Sequence, residues 1–269
     1  VFDRDLQRLT IVASDLSGWR VQRVDRGPAG GRPTIVGALR DGSFVARANV
    51  TLAAPSETRV WRDSVVVLRY PPAGSTPNRL WSAAGDDRYT IFRDGSVLNN
   101  NHPLGRLTRI AAHGDRVHVT TGAEPGFDVH AVAGVLERRV RLRRAARPVD
   151  DSVIDALRAV WVALDSSRDW AREVERLIAD MPMPDALPAV DRLQVDATGH
   201  VWLRSFEVAA SDQAEWYVFD ASDAEFLGCV MLPADLEVTD IGPDYVLGVG
   251  RTPVGVEQVQ VFNLVRTAP

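Results

Sequence analysis

Residues Leu187–Pro233 read LPAVDRLQVDATGHVWLRSFEVAASDQAEWYVFDASDAEFLGCVMLP. Asp191–Val195 is a short run with apolar residues at alternate positions, and Ala197-Thr198-Gly199 supplies a tight turn. His200–Phe206 returns as a second strand. After a polar loop, Trp216–Asp220 is aromatic and ends in acid, and Phe226–Met231 is a short apolar strand leading to Pro233. Aromatic and β-branched side chains suit a pleated surface, whereas Gly, Asp, Asn and Ser mark the reversals between strands. The stretch is predicted to be one antiparallel unit of four strands.

The same layout recurs along the chain in arrangement rather than in letters. Pro33–Asn49 is a hairpin around Asp41-Gly42, followed by a Val-rich strand at Thr58–Tyr70, a Pro/Gly/Ser turn at Pro71–Pro77 and two short strands around Gly85-Asp86-Asp87 within Arg79–Phe92. Arg106–Thr120 is a hairpin turning at His113-Gly114-Asp115, with strands at Phe127–Val132 and Val135–Leu142 after it. Leu236–Leu264 holds three more, Glu237–Ile241, Tyr245–Val249 and Val256–Leu264, with Gly242-Pro243-Asp244 as a turn. Val1–Ala13 has the pattern of two outer strands. Leu16–Arg32 and Asp94–Gly105 read as polar connections. Units repeating every roughly 40–60 residues suit four-stranded blades. The expected fold is therefore all-β: a β-propeller of four-stranded antiparallel blades, one domain over residues 1–269. A sandwich also has many short strands, but it does not explain the recurrence of this order.

The β pattern breaks between residues 148 and 183. Val153, Ile154, Leu157, Val160, Trp161 and Leu164 share one helical face, and Trp170, Val174, Leu177, Ile178 and Met181 repeat the spacing. Asp165-Ser166-Ser167 offers N-cap residues between them, and Pro182 and Pro184 end the second run. We read a helical hairpin inserted between blades.

The quoted residues VDRLQVDATGHVWLRSF, EWYVFDASDAEFLGCVMLP and DIGPDYVLGVGRTPVGVEQVQVFNL resemble closing blades of the bacterial six-bladed β-propellers of the TolB/NHL-like superfamily. The resemblance implies a six-bladed ring in which this chain lacks N-terminal blades. It also implies a bacterial periplasmic or secreted protein. The chain departs from that pattern where a turn glycine is replaced by Asp223 or Ala224. Val1–Val12 is expected to supply strands that complete the last blade. The chain opens without Met, so the natural protein is expected to begin earlier.

Composition narrows the chemistry. The chain has a net charge of −5, which is not the concentrated basic face that nucleic acid requires. All 31 basic residues are Arg, which removes Schiff-base, Ser–Lys and phosphate-loop lysine chemistry. Cys229 has no partner cysteine and is expected to be a buried, inert thiol. No window approaches the ~20 apolar residues of a membrane-spanning helix. The five histidines show no metal-ligand spacing and read as structural or surface residues. No serine sits in a G-x-S-x-G elbow. Asp191, Asp196, Asp220 and Asp240 lie at strand ends and are expected to fix turns. The arginine run within LERRVRLRRAAR, Arg138–Arg147, is expected to line an outer edge. Trp61, Trp81, Trp161, Trp170, Trp202 and Trp216 read as packing residues, and Trp19, in a polar connection, is the one whose exposure is to be tested.

Two functions follow. The first is a non-catalytic propeller that needs no cofactor and binds a small molecule or protein through its rim or central channel. Its ligand-binding candidates are Asn101, His102, Arg204, Glu207 and Asp240. The second is a calcium-dependent, lactonase-like hydrolase. In such an enzyme the asparagines of the Asn99-Asn100-Asn101-His102 run, with Glu207 and Asp240, would offer oxygen ligands to a hard cation.

Overall fold

The computed structural model describes residues 33–266, apart from 51–54, 73–75, 94, 166, 209–210, 221 and 253–254. The strands expected at Val1–Ala13, the connection at Leu16–Arg32 and Trp19 lie outside the described residues. The first sheet contains β1 (Thr34–Ala38), β2 (Phe44–Val50), β3 (Arg59–Tyr70), β4 (Asn78–Arg93) and β5 (Ser96–Asn101). The second contains β6 (Arg109–His113), β7 (Arg116–Thr120), β8 (Gly126–Ala131) and β9 (Leu136–Arg141). Helices α1 (Asp151–Val162) and α2 (Arg168–Asp180) follow. The third sheet holds β10 (Val190–Val195), β11 (Val201–Ser205), β12 (Gln213–Phe219) and β13 (Phe226–Pro233). The fourth holds β14 (Glu237–Ile241), β15 (Tyr245–Arg251) and β16 (Glu257–Asn263). Each strand pairs antiparallel with its chain neighbours, so every sheet is a meander.

The fold is all-β, but the expected six-bladed ring is not what forms. The described residues make four separate sheets of five, four, four and three strands. The first sheet departs furthest from a four-stranded unit, for a physical reason. Gly85-Asp86-Asp87 reads as a turn, yet β4 runs through it as one strand, with an irregularity in its pairing between Arg62 and Ser64 of β3. Partners outside the strand satisfy the two acids: Asp86 accepts from Thr108 N at 2.8 Å, and Asp87 accepts from Arg106 N at 2.9 Å. Asn99-Asn100-Asn101, expected in a connection, pairs with Thr90, Tyr89 and Arg88 as part of β5.

The core lies in the seams between consecutive sheets. Leu39, Val45, Val65 and Val67 meet Ile110, Val117 and Val119 between the first and second. Phe127 and Val129 meet Val201, Leu203, Tyr217 and Phe219 between the second and third. Trp202, Trp216 and Val218 meet Leu236, Val238, Ile241 and Val246 between the third and fourth. The period-two alternation of a strand sends Val201 and Leu203 to one seam and Trp202 to the other, so β11 is buried on both faces.

The helices form within the predicted span. Asp150 accepts from Val153 N to cap α1, and Ser167 accepts from Trp170 N to cap α2. Leu157 and Met181 pack on Tyr89, Ile91, Leu104 and Phe206, which lays the hairpin against the first and third sheets. Cys229 corrects an expectation: it is exposed. It lies on β13, an outer strand whose Phe226, Leu227 and Met231 are exposed as well, so among the described residues no layer covers its apolar run. In the turn before β13, Ala224 takes the left-handed conformation at φ 63°, which a glycine would adopt without strain.

Candidate functional site

Arg204 and Glu207 line one cleft of about 500 Å³ at the end of the third sheet, together with Asp191, Ser205, Asp212 and Asp235. Pairing of β10 with β11 sets Asp191 beside Arg204. The guanidinium grips the carboxylate through two parallel bonds, Nε to Oδ1 at 2.8 Å and Nη2 to Oδ2 at 2.5 Å. Such a fork fixes both side chains in orientation. The Asp191 carbonyl accepts from Arg109 Nε of the second sheet at 2.8 Å, which ties the site to the neighbouring seam.

Glu207 is held differently. Arg147, in the segment before α1, reaches it at 3.2 Å and also donates to the Phe206 carbonyl. Both side chains are about two-fifths exposed, so this pair orients Glu207 more than it stabilises the fold. Asp212 and Asp235 are exposed on the loops that enter β12 and β14, and among the described residues neither carboxylate forms an ion pair. Four acids, Asp191, Glu207, Asp212 and Asp235, therefore face two guanidiniums, and the cleft is net negative by two.

The other three candidates do not line this cleft. Asn101 ends β5 opposite Arg88. His102 is 3% exposed and fully engaged: Nε2 lies 3.0 Å from the Pro182 carbonyl, and Nδ1 accepts from Leu104 N at 3.0 Å. Burial lowers its pKa and keeps the ring neutral. The ring ties β5 to the segment after α2, and both of its nitrogens are engaged within the chain. Asp240 accepts from the Tyr245 hydroxyl at 2.7 Å, and that bond raises the phenol's pKa.

The strand-end acids divide into two kinds. Asp196 and Asp220 do fix turns, through Thr198 N and Ser222 N respectively. Asp191 and Asp240 instead bind side chains. In the arginine run, Arg139 and Arg141 pair with Asp128, Arg144 with Glu215 and Arg147 with Glu207, so most of its charge is met within the chain. Trp202 and Trp216 are buried core residues, while Trp81 is half-buried and stacks on His130 at 4.1 Å in a second cleft of about 410 Å³.

Sequence reading missed a buried ionic layer at the first seam. Asp63, Asp86 and Asp87 are less than a tenth exposed, and Arg47, Arg62 and Arg106 reach the latter two. The Asp63 carboxyl is raised by burial, partly offset by the Asp86 N–H it accepts. Two adjacent acids after a glycine carry the signature of a turn, and no local signal distinguishes a buried ion pair from one. Among the described residues no group of three or more His, Cys, Asp or Glu side chains is arranged to hold a metal ion.

No family model matches this sequence. No curated protein matches it either. Among solved structures, an uncharacterized protein of Listeria monocytogenes is 8% identical, with 81% of this chain and 73% of that chain covered at a TM-score of 0.20. A likeness at that level carries no argument about fold or function.

Proposed function

We propose that the protein is a non-catalytic binding module whose cleft at the end of the third sheet takes a cationic group, such as a Lys or Arg side chain of a partner. The observation that carries this reading is the pair of uncompensated carboxylates, Asp212 and Asp235, beside acids already held in place by Arg204 and Arg147. A ligand cation supplies the charge that the cleft lacks, and the locked Asp191–Arg204 fork gives the wall a fixed shape. No imidazole lines the cleft, and the hydroxyl of Ser211 is bonded to the Gln213 carbonyl, so the reading invokes no proton transfer.

We read the four sheets as blade-like units set in series. Three features support this: the face-to-face seams, the meander order within each sheet, and the packing of β6 against β1 and β10. Loops on such a rigid stack are suited to recognition. The test is titration with an Arg-rich peptide at two salt concentrations. The Asp212→Asn/Asp235→Asn double variant is expected to bind about tenfold more weakly, and binding by the wild type to weaken as salt rises. Affinity unchanged in the double variant would refute the reading.

A further inference from the structure

The inner hairpins of the second and third sheets share one frame, and comparing equivalent rungs isolates a single position. In the third sheet Val195 faces Val201, and one rung further in Gln194 faces Trp202. In the second, Ala112 faces Val117, and one rung further in Ala111 faces His118. Val117 and Val201 both pack toward the preceding sheet. Trp202 packs toward the following sheet, and His118 lines a cleft shared with Val201, Asp220 and Ala224 of the following sheet.

The two equivalent residues fare differently. Trp202 is 1% exposed and donates its indole N–H to Asp196 at 3.0 Å. His118 is 4% exposed, and its Nδ1 has no hydrogen-bond partner among the described residues. The cleft beside it is about 240 Å³. A ring smaller than indole, at a position where the neighbouring sheet uses indole, leaves both space and an unmet polar atom.

The cleft walls are chemically divided. Phe127, Val129 and Val201 are apolar, and the rim carries Arg116, Glu137, Arg138 and Asp220. Arg116 pairs with Glu137 at 3.2 Å, and Asp220 is engaged by the backbone and hydroxyl of Ser222. Arg138 donates to the Ser222 carbonyl at 3.1 Å and forms no ion pair among the described residues. The site thus offers a slot for a flat apolar ring, a buried imidazole nitrogen without a partner among the described residues, able to accept in the tautomer protonated on Nε2, and a cation at the mouth. Burial holds the ring neutral, with His113 and Arg116 adding to the effect.

We propose that this cleft binds a small aromatic carboxylate that carries a ring N–H or O–H donor. The ring lies against Phe127, Val129 and Val201, the donor bonds to His118 Nδ1, and the carboxylate meets Arg138. A donor brought to a buried, unpartnered acceptor is favoured because the acceptor has already lost its water. The site is separate from the acidic cleft at the end of the third sheet, and its test is independent of that reading.

The probes are indole-3-carboxylate and 4-hydroxybenzoate, titrated into the full chain by calorimetry and by NMR of the His118 ring. Benzoate lacks the donor and indole lacks the carboxylate. The first two are expected to bind and to shift the His118 ring signals, and the controls to bind about tenfold more weakly. Arg138→Gln is expected to lose about tenfold in affinity for both acids but not for indole. His118→Trp, which copies the third sheet, is expected to fill the cleft, abolish binding and raise Tm. Unmoved His118 signals at millimolar acid, meaning a cleft that holds water only, overturn the proposal. So does equal affinity in Arg138→Gln. Should His118→Trp fail to fold, the probe series on the wild type and on Arg138→Gln still decides.

Discussion

Replacing Asp196 by Asn tests how the third and fourth sheets are joined. The Asp196 side chain is fully buried and accepts five hydrogen bonds: from Thr198 N at 2.9 Å, Thr198 Oγ1 at 2.7 Å, His200 N at 2.9 Å, Trp202 Nε1 at 3.0 Å and Arg266 Nη2 at 2.8 Å. Arg266 also donates to the Gly242 and Pro243 carbonyls of the β14–β15 turn, so the carboxylate anchors a link between sheets. Burial alone would raise its pKa. The bonds from Thr198, Trp202, Arg266 and His200 prevail and lower it from 3.8 to about 2. A lowered folded-state pKa means stability that is complete above the unfolded value and disappears as pH falls through the folded one. The drop corresponds to about 2 kcal/mol, present at pH 7 and lost between about pH 5 and 2.

Asn removes the charge and also turns an N–H₂ toward donors. Oδ2 receives both Trp202 Nε1 and Arg266 Nη2, so an amide nitrogen there leaves the buried indole N–H unmet, while Arg266 keeps its bonds to the Gly242 and Pro243 carbonyls; an amide nitrogen at the other position instead faces the Thr198 and His200 N–H groups. The combined loss at pH 7 is expected to be about 3–4 kcal/mol. Urea unfolding followed by the fluorescence of buried Trp202 and Trp216 measures it across a pH series. The variant is expected to lose about 2 kcal/mol of the acid sensitivity that the wild type shows below pH 5. A difference under about 0.5 kcal/mol at pH 7, or the same acid sensitivity in both proteins, would refute the linkage argument.

Further expectations follow from other buried groups. Burial, with His113 and Arg116 adding to it, lowers His118 from 6.5 to about 4, so its contribution is complete above pH 6.5 and lost as pH falls to 4. That amounts to about 3 kcal/mol, and His118→Phe should flatten the stability curve in this window; an unchanged curve would contradict the burial argument. Gly85→Ala puts a Cβ against Asp63 Oδ1 and 2.9 Å from the Asp63 carbonyl carbon, inside the first-seam ionic layer. The expected loss is at least about 2 kcal/mol by chemical denaturation, and a neutral result would show that this layer yields easily. His102→Ala leaves Leu104 N and the Pro182 carbonyl without the ring. It should cost about 2–3 kcal/mol and speed proteolysis near residues 182–186; cleavage at the wild-type rate would argue against this tie.

Much of the fold was legible because it rests on local chemistry. The turns at Asp41-Gly42 and Gly114-Asp115 form with glycine at φ 79° and 60°, values that other residues adopt only with strain. Both helix caps lie where short polar side chains precede an apolar stripe. The site was less legible. Arg204 and Glu207 line one cleft because β10, β11 and the segment before α1 converge, whereas residue type alone marks Asn101, His102 and Asp240 as candidates. Cys229 failed as a buried thiol because an apolar run on an outer strand looks the same in sequence whether or not a further layer covers it.

By itself the sequence determined an all-β chain of antiparallel hairpins interrupted by two helices, since strand alternation, helix spacing and turn residues act over a few neighbours. Only the tertiary structure decided how many strands join each sheet, that Asp86 and Asp87 lie inside a strand, and that His118 Nδ1 has no hydrogen-bond partner among the described residues where the next sheet has Trp202. Those outcomes depend on partners distant in the chain, such as Thr108 for Asp86 and Arg106 for Asp87. A carboxylate that meets a buried donor can be taken out of water, and one that does not forms a turn at the surface; the identity of the residue does not say which.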